Sequence, residues 1–360
     1  MQEVEIRDLQ SMAYGECWDL QRSLFDALCR KKLEKSFADD EPRGTILLVE
    51  HPAVYTLGKS GNEQNMLVTE EYLKGLGAEF YHIDRGGDVT FHGPGQLVCY
   101  PIIDLDAIGI GVRRYIEALE QSVIDLAKEY GIDAAITPHS CYTMSPQLLA
   151  MAAEEGLKSG FLSYHSQESH EEEELIRTGT GALAENYKGR GLSTPPVTGK
   201  PALTYFIDRL LSFSKSPVEG NVLLVHNVAI DQESIDYAKK HLANPYFAIC
   251  PLSNIFIHRA LPPLDLMREN GLKICLGTDS LSSNTILSIV KEIECIHKNF
   301  PQIPLVEILE WACSNGAEML GKQDVLGSFE PGKKPGVVLL DNIDWENFKL
   351  TEKSTARRLV

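Results

Sequence analysis

The sequence predicts an α/β chain in two parts: a mixed α+β front, then part of a parallel (β/α) barrel. Three observations carry this. Short β-rich runs broken by Gly, Pro and Asn fill the first third. From about residue 132 the rhythm changes to strand, polar tip and helix, repeated. In each later unit a His, Glu, Ser, Asn or Asp stands just after an apolar run, where a (β/α) barrel keeps its chemistry.

Residues 18–35 and 112–130 have helical periodicity, and Val112, Tyr115, Ile116, Leu119, Val123, Leu126 and Ala127 paint one apolar face. Between these helices GTILLVE (44–50), AVYTLG (53–58), EFYHID (79–84) and QLVCYPIIDL (96–105) read as strands. The second part starts with IDAAI and a helix from Ser145. It continues with GFLSYH and a helix over 169–177, NVLLVH and a helix over 231–241, YFAIC, and KICLGTD with a helix over 284–299. GRGLSTPPVTGKP (189–201) is a surface loop, because the βα rhythm resumes beyond it.

Composition excludes several functions. A 360-residue chain with 43% hydrophobic residues can fill a core for two domains. The formal charge of −17 argues against a nucleic-acid partner, which is normally met by gathered Lys and Arg. No apolar run approaches the roughly 18–20 residues that span a bilayer, and the start MQEVEIRDLQ has no signal-peptide pattern, so the expected location is cytoplasmic. Eight single cysteines without CxxC spacing are expected to be mostly buried apolar side chains. HEEEEL (170–175) is expected to form the solvated first turn of a helix, and GTGA (179–182) lacks the spacing of a dinucleotide loop.

The densest local signal is RGGDVTFHGPGQLVCYPIIDL (85–105), in which glycines allow close backbone approach and Arg85 offers a fork of donors. Taken alone, it reads equally as a Gly-rich hairpin with a structural His92. Together with HPAVYTLGKSG (51–61) it resembles the lipoyl(octanoyl) transferase family, from about residue 3 to residue 132. That resemblance implies a biotin/lipoate ligase-like fold. It also implies transfer of octanoyl from acyl carrier protein to a lysine of a lipoyl domain, with no cofactor. Arg85, Gly86, Gly87, Asp88, Val89, Thr90, Phe91 and His92 map onto the acyl pocket. The family's nucleophilic cysteine and its assisting lysine follow the helix matching 112–130, and after Gly131 this chain replaces that segment. Cys99, Cys141 and Lys59 read as structural rather than as substitutes.

PHSCYTMS (138–145), YHSQES (164–169), LLVHNV (223–228), CPLSN (250–254) and LGTDSLSSN (276–284) resemble, in that order, the amidohydrolase superfamily, in its branch of cytosine and S-adenosylhomocysteine deaminases, over about 133–350. The tail LGSFEPGKKPGVVLLD (326–341) resembles its closing strand segment. By this resemblance His165 and Asp279 ligate a metal, Glu168 shuttles protons, His226 orients water and His139 contacts a small heterocyclic substrate. No His-x-His occurs in the chain, so a zinc site is expected to be weak and incomplete, and the barrel lacks its early strands. Three function classes stay open: an acyl-binding octanoyltransferase descendant, an amidohydrolase acting on C–N bonds, and a non-enzymatic fusion product joined near residues 131–136.

Overall fold

The structure, a computed structural model, describes residues 4–38, 40–59, 66, 68–84, 89–132 and 134–359. The chain forms two compact units, residues 1–126 and 127–360.

In the first unit, β1 (Glu5–Ser11), α1 (Tyr14–Glu34), β2 (Gly44–Glu50), β3 (Val54–Leu57), α2 (Glu70–Gly75), β4 (Glu79–His82), β5 (Val89–His92), β6 (Leu97–Ile103) and α3 (Val112–Glu129) follow one another. Among the described residues its strands form two sheets of three, ordered β1-β2-β6 and β4-β3-β5. GTILLVE is the central strand of the first, where alternation sends Leu47 and Val49 to the core. The sheets meet the sequence at His51, which is 1% exposed, with Nδ1 2.8 Å from the Met12 carbonyl and Nε2 3.0 Å from Tyr100 OH. These two bonds tie the start of α1 and strand β6 to the turn between β2 and β3.

Helix α3 forms where its periodicity predicts, yet none of its residues is buried. Val112, Ile116, Leu119, Val123 and Leu126 are all exposed. Periodicity determines which residues share a face, whereas burial requires a partner element.

The second unit contains α4 (Pro146–Leu157), β7 (Phe161–Ser166), α5 (His170–Thr178), α6 (Gly181–Gly189), α7 (Ala202–Leu211), β8 (Val218–His226), α8 (Gln232–His241), β9 (Leu242–Ile249), α9 (Pro251–His258), α10 (Leu264–Glu269), β10 (Lys273–Leu276), α11 (Ile289–Asn299), α12 (Leu305–Ala312), α13 (Ser314–Met319), β11 (Val338–Asp341) and β12 (Thr355–Arg358). Its main sheet is parallel throughout, ordered β10-β9-β8-β7. Ser145, Ser169 and Asp231 cap α4, α5 and α8 by accepting the N–H three residues on, which starts each helix at a fixed point after the preceding segment. The core on this sheet includes Leu162, Tyr164, Phe206, Val222, Leu224 and Phe247, with the Tyr164 and Phe206 rings stacked at 3.6 Å.

IDAAI is not a strand: residues 134–140 have no regular secondary structure, and residue 133 lies outside the described residues. The β7 edge of the sheet has hydrogen-bond partners. Ser163 N–H donates to Thr137 Oγ1 at 3.2 Å and His165 N–H donates to the His139 carbonyl at 2.9 Å, so irregular backbone occupies that edge. The helix expected over 284–299 starts at Ile289, because Asn284 is taken up by the loop before it.

Candidate functional site

The first-unit candidates divide. Arg85, Gly86, Gly87 and Asp88 lie outside the described residues. Val89, Thr90, Phe91 and His92 form β5, antiparallel to β3, with Phe91 opposite Tyr55 and their rings 4.9 Å apart. His92 Nδ1 lies 2.6 Å from Gln96 Oε1. The Tyr14 ring stacks beside it at 6.4 Å. Cys99 is exposed on β6 rather than buried, because alternation turns it away from the core, and burial of its surroundings still raises its thiol pKa. Lys59 is exposed beyond β3.

The second-unit candidates converge at the carboxyl ends of parallel strands. His165 sits near the end of β7 with Glu168 just beyond, His226 ends β8, and Asp279 follows β10. The backbone is unusual at these ends. Gln167, His226, Asn227 and Asp279 have φ of 48°, 77°, 56° and 56°, left-handed conformations that cost about 1–3 kcal/mol each for such residues. Buried hydrogen bonds hold them. Asn227 donates its amide to the Leu224 and Ala248 carbonyls at 2.7 and 3.1 Å, and Gln167 donates to Glu173 Oε1 and Ser234 Oγ at 2.7 and 3.1 Å.

The imidazoles form a row: His139 to His165 is 4.3 Å between ring centroids, and His165 to His226 is 5.1 Å. His139 is exposed and His226 is buried. Desolvation lowers the pKa of both His165 and His226, which favours neutral rings. Asp279 accepts hydroxyl hydrogen bonds from Ser253 at 2.8 Å and Ser283 at 2.6 Å. Burial opposes its ionisation, and these bonds outweigh that and hold its pKa low.

Glu168 is the meeting point. Its Oε1 lies 3.3 Å from His258 Nε2 and 3.8 Å from His226 Nε2, and its Oε2 accepts from Tyr142 OH at 3.3 Å. Burial again opposes ionisation, but the bond from His258 and the neighbouring imidazoles hold the carboxyl well below the usual carboxylate range.

Sequence reasoning missed His258, Tyr142 and the role of α9. This single helix offers Ser253 to Asp279, Asn254 to His226 at 3.0 Å, and His258 to Glu168. The CPLSN motif pointed to its first turn, while His258 follows no strand and belongs to no pattern.

The acidic run HEEEEL also departs from expectation. It does form the first turn of α5, but Glu172 is fully buried rather than solvated. It faces inward because backbone N–H groups of the preceding turn need an acceptor there.

The donor set does not fit a protein-held metal. His165 and Asp279 supply two ligands, His165 Nδ1 is buried without a hydrogen-bond partner, and Asp279 Oδ2 already takes two hydroxyls. Among the described residues no group of three or more His, Cys, Asp or Glu could hold a metal ion. A structural zinc takes four ligands and a catalytic one three.

The model of the amidohydrolase family matches residues 88–356. The chain belongs to the amidohydrolase family. Its front also matches the lipoyl protein ligase A/B catalytic domain over residues 13–149, so the two matches overlap. The octanoyltransferase of Bacteroides fragilis is 49% identical over 127 residues, covering 35% of this chain and 56% of that protein. That of Christiangramia forsetii is 45% identical over 138 residues, covering 38% and 59%. The chain thus spans little more than half the length of these curated relatives. Among solved structures, Helicobacter pylori aminofutalosine deaminase in complex with methylthio-coformycin aligns with a TM-score of 0.54 at 24% identity, over 63% of this chain and 55% of that one, a likeness of fold. The amidohydrolase half therefore has a deaminase as structural neighbour, and the front has octanoyltransferase homologues.

Proposed function

We propose that this chain is a fusion of two enzyme-derived parts that bind the ligands of their families without turning them over. The observation that carries the reading is the convergence of His165, Glu168, His226 and Asp279 at strand ends, with no group among the described residues that could hold a metal. The ligand of this half is a small heterocycle with an amino group. Glu168, held ionised, accepts N–H groups of the ring edge, His226 orients the ring's polar atoms, and His139 contacts it from the exposed side. Two donors do not hold zinc, and no step of hydrolysis is assigned to this site.

The front half, on the same proposal, holds an octanoyl chain along Arg85 to His92 and meets octanoyl-acyl carrier protein and lipoyl-domain proteins. Transfer through a thioester needs a thiolate with a cation beside it. Desolvation raises the thiols of Cys17, Cys99 and Cys141, which keeps them as poor nucleophiles. The join is placed near residues 131–136, dividing the chain into 1–132 and 133–350, and the scattered cysteines suit a cytoplasmic location.

The experiment is calorimetric titration of the purified chain with methylthio-coformycin, paired with an assay for ammonia release from aminated heterocycles. Binding without ammonia supports the reading. Rapid ammonia release overturns its non-catalytic part, and absence of binding overturns the ligand assignment.

A further inference from the structure

We propose that Glu172 is a positioning residue whose buried carboxyl fixes the turn that aims Glu168 into the site. The inference rests on the reading of Glu168 as a ligand-binding group. Glu172 is 0% exposed, in the first turn of α5, inside the HEEEEL run whose sequence suggests a solvated face. Its Oε2 accepts the N–H of Glu168 itself at 2.8 Å. Its Oε1 accepts the N–H of Gln167 at 3.3 Å and the Cys141 thiol at 3.2 Å. The N–H of Glu172 is in turn held by Ser169 Oγ at 3.1 Å, so the carboxyl is fixed from its own backbone.

The geometry requires a carboxyl. Two consecutive backbone N–H groups leave β7 through a left-handed residue, Gln167, and both point away from any strand partner. A carboxyl gives each N–H an oxygen of its own, and a buried N–H left without an acceptor is destabilising. A glutamine at this position presents an NH2 to one of the two donors. The turn then relaxes, and the Glu168 side chain leaves Tyr142 and His258. Cys141 ties the same carboxyl to the 138–145 segment, next to the Tyr142 that contacts Glu168, so one buried group aligns both sides of the carboxylate.

The test is a double-mutant cycle on the full chain, with methylthio-coformycin as the titrated probe. Glu172→Gln is expected to weaken binding about tenfold in the wild-type background and less than about twofold when Glu168 is already alanine, because its effect passes through Glu168. Equal loss in both backgrounds, or none in either, overturns the proposal. Should the wild type not bind the probe, the functional reading fails on its own, and the crystal structure of ligand-free Glu172→Gln decides the positioning role. Glu168 displaced from His258 and Tyr142 supports it, and Glu168 unmoved refutes it. Glu172→Asp, which keeps both oxygens but reaches less far, is read in the same ways if the glutamine variant does not fold.

Discussion

His258 Nε2 lies 3.3 Å from Glu168 Oε1, although 90 positions separate the two in sequence and no strand precedes the histidine. The contact places a donor on the one carboxylate that two further groups already address, His226 and Tyr142. Replacing His258 by alanine removes the largest influence favouring the anion, so Glu168 is expected to titrate closer to the ordinary carboxylate range. Carbon-detected NMR of glutamate-labelled protein measures this, and an unmoved titration curve for Glu168 in the variant contradicts the contact.

Stability should carry a pH signature of Glu172. Burial, the dominant cause, pushes its pKa up to about 8 from 4.5. The folded state therefore keeps a proton that the unfolded chain releases. Its contribution is fully present below about 4.5 and is lost as pH rises through about 8. Glutamine does not titrate, so the Tm of wild type relative to Glu172→Gln should fall steadily across that window. A constant difference between the two melting curves refutes the shift.

Phe206 packs face to face with Tyr164 and is fully buried. Phe206→Ala should cost about 3–5 kcal/mol, roughly 10 °C in Tm for a unit of this size. Urea melts read by circular dichroism provide the check, and a loss below about 1 kcal/mol is the contrary result.

Zinc should not be retained. After incubation with excess zinc and gel filtration, metal analysis is expected to find well under one ion per chain, and a chelator should leave Tm unchanged, since two donors give weak binding. One zinc per chain with a chelator-sensitive Tm means that donors beyond His165 and Asp279 take part.

On α3, Val123→Lys should change stability by no more than about 0.5 kcal/mol, because the side chain is 66% exposed. A larger loss, measured by the same urea melts, means that this face is covered in solution.

Much of this was legible in the sequence for physical reasons. GTILLVE, GFLSYH and NVLLVH are strands because β-branched and apolar residues fill a buried sheet, and Ser145, Ser169 and Asp231 start helices because each accepts a backbone N–H at the required offset. His165, Glu168, His226 and Asp279 stood out because each lies at the carboxyl end of a strand or just beyond it. Other features depend on partners that no local pattern encodes. HEEEEL looks solvated until the N–H groups of Gln167 and Glu168 are placed beside it. IDAAI has the composition of a strand, but its neighbourhood along β7 is irregular. The stripe on α3 names a face without naming what covers it.

Helix α9 has a consequence of a mechanical kind. Ser253, Asn254 and His258 stand on one rigid rod of eight residues, and they touch Asp279, His226 and Glu168 in turn. The three strand tips are thereby geared together. A small slide or roll of that rod shifts all three contacts at once, so the site has a single adjustable coordinate. A substitution that tilts the rod from its outer side, where Phe256 is exposed, should disturb the acidic and imidazole groups in concert rather than one by one.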